Sequence, residues 1–319
     1  MSTPLAIGID VGATKIAAAL VTATGEIVAE ERVPTNPRTG AAAVVARIAA
    51  VVDRLAGQAS RPVAGVGIGT PGYVDAAAGI VRNAVNLGWV ELPLAAEVRQ
   101  QIGERYPVWV ENDANVHALG EHIFGAARGV DNFADIAIGS GLGGGVMVHG
   151  KLVAGDSYTA AELGHLSLDP DGRPCACGLA GCVETVVSGP GLVKTVAELL
   201  GRSEQPTRLR DDATLTAEGV VAAARQGDAP ALAALDQTAA WLGMTFATLV
   251  SVINPAMIIV GGGLGLSAYD LLVPGAEAEM QRRVLPQSYS RLRIVPSQVH
   301  HSAVGASALV WHHREASRP

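Results

Sequence analysis

The stretch Leu5-Ala6-Ile7-Gly8-Ile9-Asp10-Val11-Gly12-Ala13-Thr14-Lys15-Ile16-Ala17-Ala18-Ala19-Leu20 decides the fold. Residues 5–10 read as a buried strand that ends on a carboxylate, and residues 16–22 as a second strand returning after a tight turn. The plan recurs further along. Residues 135–138 form a strand pattern, 139–145 a glycine turn (Gly139-Ser140-Gly141-Leu142-Gly143-Gly144-Gly145), and 146–149 a return strand. Two strand–turn–strand units of one design predict a duplicated, two-lobed architecture.

Around these units, strand patterns alternate with helical ones. Gly25 starts a hairpin turn into a strand over 27–33, and 41–55 carries apolar residues at helical spacing. Strands follow over 63–68 and 108–110, with helices over 92–104 and 114–124. Beyond the second glycine turn come helices over 190–200, 216–226 and 229–253. Strands over 257–260 and 293–295 and a final helix over 303–312 complete the chain. This alternation defines an α/β protein. The polar stretch 201–212 is expected to be a mobile surface loop.

The 319 residues are 49% hydrophobic and only 4% aromatic, enough for two domains or one large α/β unit with a sizeable Ala/Val/Leu-rich core. No apolar run is long enough to span a bilayer, and the N-terminus enters a strand without a signal peptide, so a cytoplasmic location with no membrane partner is expected. The net charge is −7 with no basic run, which argues against a nucleic-acid partner. A small anionic ligand remains open, because backbone amides bind anions without net positive charge.

Five constellations carry candidate chemistry. Asp10-Val11-Gly12-Ala13-Thr14-Lys15 combines a turn whose amides could converge on an anion with a hydroxyl and a point charge, and Asp10 is placed to order Mg²⁺ or water. An ordinary hairpin is the plainer reading, and the GxxxxGK[ST] pattern of a Walker loop is absent. The glycines of 139–145 give up side-chain packing, which is explained if backbone approaches a ligand closely. Gly261-Gly262-Gly263 follows a strand, at the end where open α/β sheets bind ligands. In Glu111-Asn112-Asp113, where a strand gives way to a helix, Asp113 reads either as a helix N-cap or as a general base that accepts a hydroxyl proton. Last, Cys175, Cys177 and Cys182 are the only cysteines and, with His165, give the Cys₃His ligand set of a closed zinc site. Reduced thiols in a cytoplasmic chain favour metal over a disulfide. His117 and Glu121 share a helix face and read as a solvated pair.

Together these motifs resemble the ROK family (repressor, open reading frame, kinase) over essentially the whole chain. The most specific pair is Glu162-Leu163-Gly164-His165 followed by Cys175-Ala176-Cys177-Gly178-Leu179-Ala180-Gly181-Cys182-Val183-Glu184. Gly69-Thr70-Pro71-Gly72, Asn86-Leu87-Gly88-Trp89, Glu111-Asn112-Asp113-Ala114-Asn115 and both turns fit the remaining stations. Ala13 departs from the family's second glycine, and Ser140 from its usual threonine.

The resemblance implies an actin-like ATPase (ribonuclease H-like) fold, two α/β domains around a cleft. Residues 1–112 and a C-terminal helix of about 303–319 are expected to form the smaller domain. Residues 113–302, with a zinc loop at 162–184, are expected to form the larger. It further implies ATP-dependent phosphorylation of a hexose, glucose foremost, at its C6 hydroxyl. Asp113 would be the base that deprotonates that hydroxyl for attack on the γ-phosphoryl group. Gly72, Asn86, Asn112, Asp113, Glu162, His165 and Glu184 would hold the sugar. Gly12, Thr14, Lys15, Ser140, Gly141 and Gly143 would line the nucleotide phosphates, with Gly262 and Gly263 near adenosine and Asp10 near Mg²⁺. His165 would serve both structural zinc and sugar, one ring nitrogen for each. Mannose, fructose, allose and N-acetylglucosamine remain alternative acceptors, and polyphosphate an alternative donor. A sugar-responsive regulator of the same family is disfavoured, because its winged helix-turn-helix would precede the first strand at Leu5. The family suggests a homodimer or homotetramer.

Overall fold

The computed structural model describes residues 3–202, 206–210 and 215–316. The described chain divides into two compact units of similar length. The first comprises residues 1–129, 152–160 and 298–319, the second 130–151 and 161–297.

In the first unit β1 (Leu5–Val11), β2 (Lys15–Val21) and β3 (Ile27–Pro34) form an antiparallel meander, and α1 (Ala41–Gly57) leads to β4 (Val63–Thr70). A small antiparallel sheet follows from β5 (Tyr73–Asp75), β6 (Ile80–Ala84) and β7 (Trp89–Leu92). Next come α2 (Leu94–Gln101), β8 (Val108–Asn112) and α3 (Asp113–Ile123). The main sheet has the order β3-β2-β1-β4-β8, with β1, β4 and β8 parallel.

Strand periodicity explains how β1 is covered on both faces. Leu5, Ile7 and Ile9 enter the core built with α1 and α2. Ala6 packs with Val310 and Trp311 of the C-terminal helix (Ser302–Ala316). On that second face Gly8 pairs in register with Gly67 of β4. A methyl group at either would collide with the helix backbone, at Ala303 O and Ala306 O respectively. The helix therefore rests directly on the sheet backbone. Its other flank meets α3 at a glycine crossing, Gly120 against Gly305.

The second unit opens with β9 (Phe133–Ile138), β10 (Leu142–Val148) and β11 (Lys151–Leu152). Helices α4 (Gly189–Arg202), α5 (Ala217–Arg225) and α6 (Ala229–Ile253) precede β12 (Met257–Gly261). After them come α7 (Gly263–Ser267), α8 (Tyr269–Gln281), α9 (Pro286–Tyr289) and β13 (Arg293–Pro296). The sheet order β11-β10-β9-β12-β13 repeats that of the first unit strand for strand. The duplication expected from the two strand–turn–strand plans is thus realised as two sheets of one topology, as in the actin-like ATPase fold.

Several local expectations change. The division falls after Gly129, where residues 1–112 and 113–302 had been the expected split, because α3 packs on the C-terminal helix of its own unit. The glycine turn is short: Gly143, Gly144 and Gly145 lie in β10, paired with Ala137, Ile136 and Asp135. The helix expected over 92–104 spans Leu94–Gln101. In the stretch expected to be a mobile loop, Gly201 and Arg202 end α4 and 208–210 form a 3₁₀ turn. Residues 203–205, 211 and 212 of that stretch, and 317–319 of the C-terminal helix, lie outside the described residues. His117 and Glu121 are not a solvated pair. Glu121 is fully buried and accepts backbone N–H bonds from Ala126, Gln298 and Val299 at 2.7, 2.8 and 2.8 Å. His117 Nε2 lies 3.1 Å from Val299 O, so both side chains hold the approach to the C-terminal helix.

Candidate active site

In the first unit, β8 runs straight into α3, and Asn112 caps that helix. Its Oδ1 accepts from Ala114 N and Asn115 N at 2.9 and 3.2 Å, while its Nδ2 donates to Gly72 O at 3.0 Å. The N-cap is therefore Asn112, and Asp113, one residue on, is the exposed first residue of the helix. Its position at the positive end of α3 favours the carboxylate form. Gly72 has φ +96°, and a methyl there would strike Asn83 O, so the Gly69–Gly72 turn is held between β6 and the start of α3. Asn86 is exposed in the 3₁₀ turn Val85–Leu87 that follows β6. Behind the helix start, burial raises the Glu111 carboxyl above its usual range, opposed by bonds from Asn112 N at 2.7 Å and Asn115 Nδ2 at 3.1 Å.

The Asp10–Lys15 turn is a tight hairpin in which Gly12 N donates to Lys15 O at 2.9 Å. That amide is spent inside the turn, so convergence of amides on an anion does not extend to Gly12. Thr35 fixes the turn from β3's side, donating from Oγ1 to Gly12 O at 2.7 Å and from N to Thr14 O at 3.0 Å. Thr14 and Lys15 are exposed. Burial raises the Asp10 carboxyl, and Ser302 at the head of the C-terminal helix offsets this by donating to Oδ2 at 2.6 Å. No sequence motif points to Ser302.

In the second unit, β10 and the segment 162–165 interlock. A methyl on Gly144 would collide with Leu163, and one on Gly164 with Leu142 O. Glu184 reaches the same place from the far side of the cysteine loop: its Oε2 accepts from Leu142 N at 2.8 Å. A methyl on Gly141 would come within 2.4 Å of that oxygen, so the carboxylate keeps this place only beside a bare glycine. The glycines of this loop are thus partly explained by internal packing, where ligand approach had been the expected reason. Glu162 is half-buried, its carboxyl raised by burial, lowered by His165 and raised again by Glu184, so these three side chains form one cluster. Ser140 is exposed at the turn, and Gly143 lies in β10. Gly262 (φ +79°) caps α7 against Ile138, which places Gly262 and Gly263 beside the start of the glycine turn.

His165, Cys175, Cys177 and Cys182 bring their ligand atoms within 4.8 Å of one another. Cys175 Sγ lies 3.8 Å from His165 Nδ1, and Cys177 Sγ 3.6 Å from Cys182 Sγ. A tetrahedral zinc with bonds of about 2.3 Å sets sulfur neighbours about 3.8 Å apart, so the four groups fit that ion. The sulfurs are far beyond the ~2.05 Å of a disulfide. Burial pushes the Cys182 thiol up to about 12, and the neighbouring thiols push it the same way, whereas a backbone hydrogen bond from Leu179 lowers the Cys177 thiol. Nδ1 faces the sulfurs, which leaves Nε2 on the opposite edge of the imidazole. Gly181, at φ +69°, closes the loop against Asp169 O. Arg173, which sequence reading missed, fastens the loop to α4. Its guanidinium donates to Thr185 O at 2.7 Å and Thr195 Oγ1 at 2.9 Å, and pairs with Glu198 at 2.8 Å.

Two α/β units of one topology, one bearing an acid at a helix start and the other a glycine loop braced by a Cys₃His cluster, define a sugar-kinase-type member of the actin-like ATPases. The chain belongs to the ROK family, whose model matches residues 6–313. It is 37% identical over 281 residues to a glucokinase of Halalkalibacterium halodurans, covering 86% of this chain and 84% of that protein. A ROK glucokinase from Streptomyces griseus, solved in complex with glucose and AMPPNP, superposes with a TM-score of 0.80 at 35% identity, covering 97% of this chain and 99% of that one. A ROK transcriptional regulator, a homologue of the E. coli MLC protein, superposes at 0.87 with 28% identity, covering 97% of this chain and 78% of that one.

Proposed function

We propose that the protein is an ATP-dependent glucokinase that transfers the γ-phosphoryl group to the C6 hydroxyl of glucose. The observation that carries this reading is Asp113, with Asn112 taking over the capping role and holding Gly72. An aspartate kept ionised by the helix start and exposed beside a fixed turn is equipped to accept the hydroxyl proton as the oxygen attacks phosphorus. The 37% identity to the H. halodurans glucokinase, and the glucose and AMPPNP bound in the S. griseus relative, support both substrates.

The remaining roles follow the resemblance. In the first unit Gly72, Asn86 and Asn112, and in the second Glu162, His165 and Glu184, are the positions that match the family's sugar contacts. Thr14 and Lys15, with Ser140, Gly141 and Gly143, attend the phosphates, and Gly262 and Gly263 lie near adenosine. Asp10, its Oδ2 held by Ser302, would hold Mg²⁺, which supplies neutralising charge to the phosphates when bound. Zinc would be held by His165, Cys175, Cys177 and Cys182 and would fix the loop carrying Glu184. Its binding through Nδ1 leaves His165 Nε2 protonated and able to donate to a hydroxyl.

ADP release measured over glucose, mannose, fructose, allose and N-acetylglucosamine, with ATP and with polyphosphate, tests the reading. Glucose with ATP is expected to give the highest kcat/KM, and no turnover with any hexose sinks it. A sugar-responsive regulator is the second reading, favoured by the fit to the MLC homologue. Sugar binding without phosphoryl transfer would select it.

A further inference from the structure

Glu184 has two duties. Its Oε2 accepts the amide of Leu142, inside the loop assigned to the nucleotide phosphates, while the side chain belongs to the cluster with Glu162 and His165 assigned to the sugar. Its backbone has little freedom. Cys182 of the Cys₃His cluster caps the 3₁₀ turn Val183–Thr185 that carries it, Ser188 Oγ donates to its carbonyl at 2.8 Å, and Arg173 holds Thr185 O. The loop approaches it closely, since a methyl on Gly141 would stand 2.4 Å from Oε2 and push the carboxylate aside. Gly139, two residues away, faces open space.

We propose that Glu184 is a positioning residue that couples the two substrate sites, one carboxylate oxygen holding the glycine loop and the other the glucose. The proposal rests on the reading above that the sugar lies against Glu184 and the phosphates against the loop. A carboxylate tied at one oxygen to a backbone amide has a single orientation to offer a sugar hydroxyl. Whatever moves residues 141–142 therefore moves a sugar contact, and whatever orients Glu184 pre-orders the loop. Ordering shared between two sites gives them a common coupling free energy, and that coupling must be reciprocal. The bareness of Gly141 is then a condition for sugar binding, although the residue lies in the nucleotide loop.

The test is calorimetric titration of glucose into the zinc-loaded full chain without nucleotide, for wild type, Gly141→Ala and Gly139→Ala. Thermal midpoint and zinc content report that each variant is folded. Displacing a charged hydrogen-bonding partner is expected to weaken glucose binding about tenfold or more in Gly141→Ala, while Gly139→Ala stays within about twofold of wild type. Equal glucose affinity in Gly141→Ala and wild type overturns the proposal, as does an equal loss in Gly139→Ala. Glu184→Asp covers the case in which Gly141→Ala does not fold. Its shorter side chain cannot serve both partners, so glucose and AMPPNP affinity should fall together, and loss of glucose affinity alone overturns the coupling. A wild-type protein that binds no glucose overturns the sugar reading itself, and that outcome is separate from every variant result.

Discussion

At the scale of single residues, the exchange of roles at 112 and 113 matters most. An Asp before a helix reads first as a cap, and the hydrogen bonds from Ala114 and Asn115 to Asn112 give that part to its neighbour, which leaves the base role of Asp113 to kinetics. Asp113→Asn is expected to lower kcat by about 10²- to 10⁴-fold with glucose affinity and zinc content retained, as read by steady-state kinetics and calorimetry. A kcat near wild type would refute its role as base. Glu111 gives a prediction of different kind. Its carboxyl is raised by burial, so its contribution to stability is full below the ordinary glutamate pKa and is lost as pH rises through the elevated one. Glu111→Gln keeps an acceptor oxygen for Asn112 N and Asn115 Nδ2 and has no charge to bury. Its melting temperature relative to wild type should therefore rise from acid to neutral pH, and a constant difference would contradict this. Residues that act at long range were invisible in the sequence. Ser302 meets Asp10 across almost the whole chain, and Arg173 looks like any surface arginine until its acceptors are seen.

At the scale of elements, the cysteine loop was legible because metal ligation requires particular residue types at short spacing. What it braces was legible only through the resemblance. Cys177→Ser, or removal of metal by a chelator, should abolish zinc content and raise the KM for glucose more than it lowers kcat, because the loop carries Glu184 while the base lies on α3. Elemental analysis with kinetics checks this, and an unchanged KM in zinc-free protein would separate loop from pocket. The inner strands of the two main sheets follow the apolar runs, since β1, β2, β9 and β12 are buried on both faces, whereas the edge strands β3 and β13 are largely open to solvent. The small sheet β5–β7 escaped because its strands are three to five residues long and divided by turns. Helix α8 escaped because Pro274 and Gly275 interrupt its pattern. The C-terminal helix was readable as a helix, but its seat was not. Gly8 and Gly67 look like weak points in their strands, yet they let the helix backbone rest on the sheet. Gly67→Ala should destabilise the protein by about 1–3 kcal/mol in urea unfolding, whereas an open site such as Gly57→Ala should not.

At the scale of the whole molecule, the repeated sheet order shows why two glycine-containing hairpins occur in one chain: each begins the meander of its own unit. The same scale explains the shifted domain boundary, since the first unit recruits 152–160 and the C-terminal helix from distant parts of the sequence. The return of the C-terminal helix was expected through the resemblance, whereas nothing in the sequence pointed to the return of 152–160. Among the described residues no helix is long and apolar enough to cross a membrane. Phosphorylation of glucose, and not binding alone, is what this framework is proposed to carry out. Phosphorus NMR of the wild-type protein with glucose, ATP and Mg²⁺ follows that transfer atom by atom. Stoichiometric conversion of ATP to ADP and glucose 6-phosphate is expected; ATP left intact, or hydrolysed to free phosphate without a sugar phosphate, would refute phosphoryl transfer to the sugar.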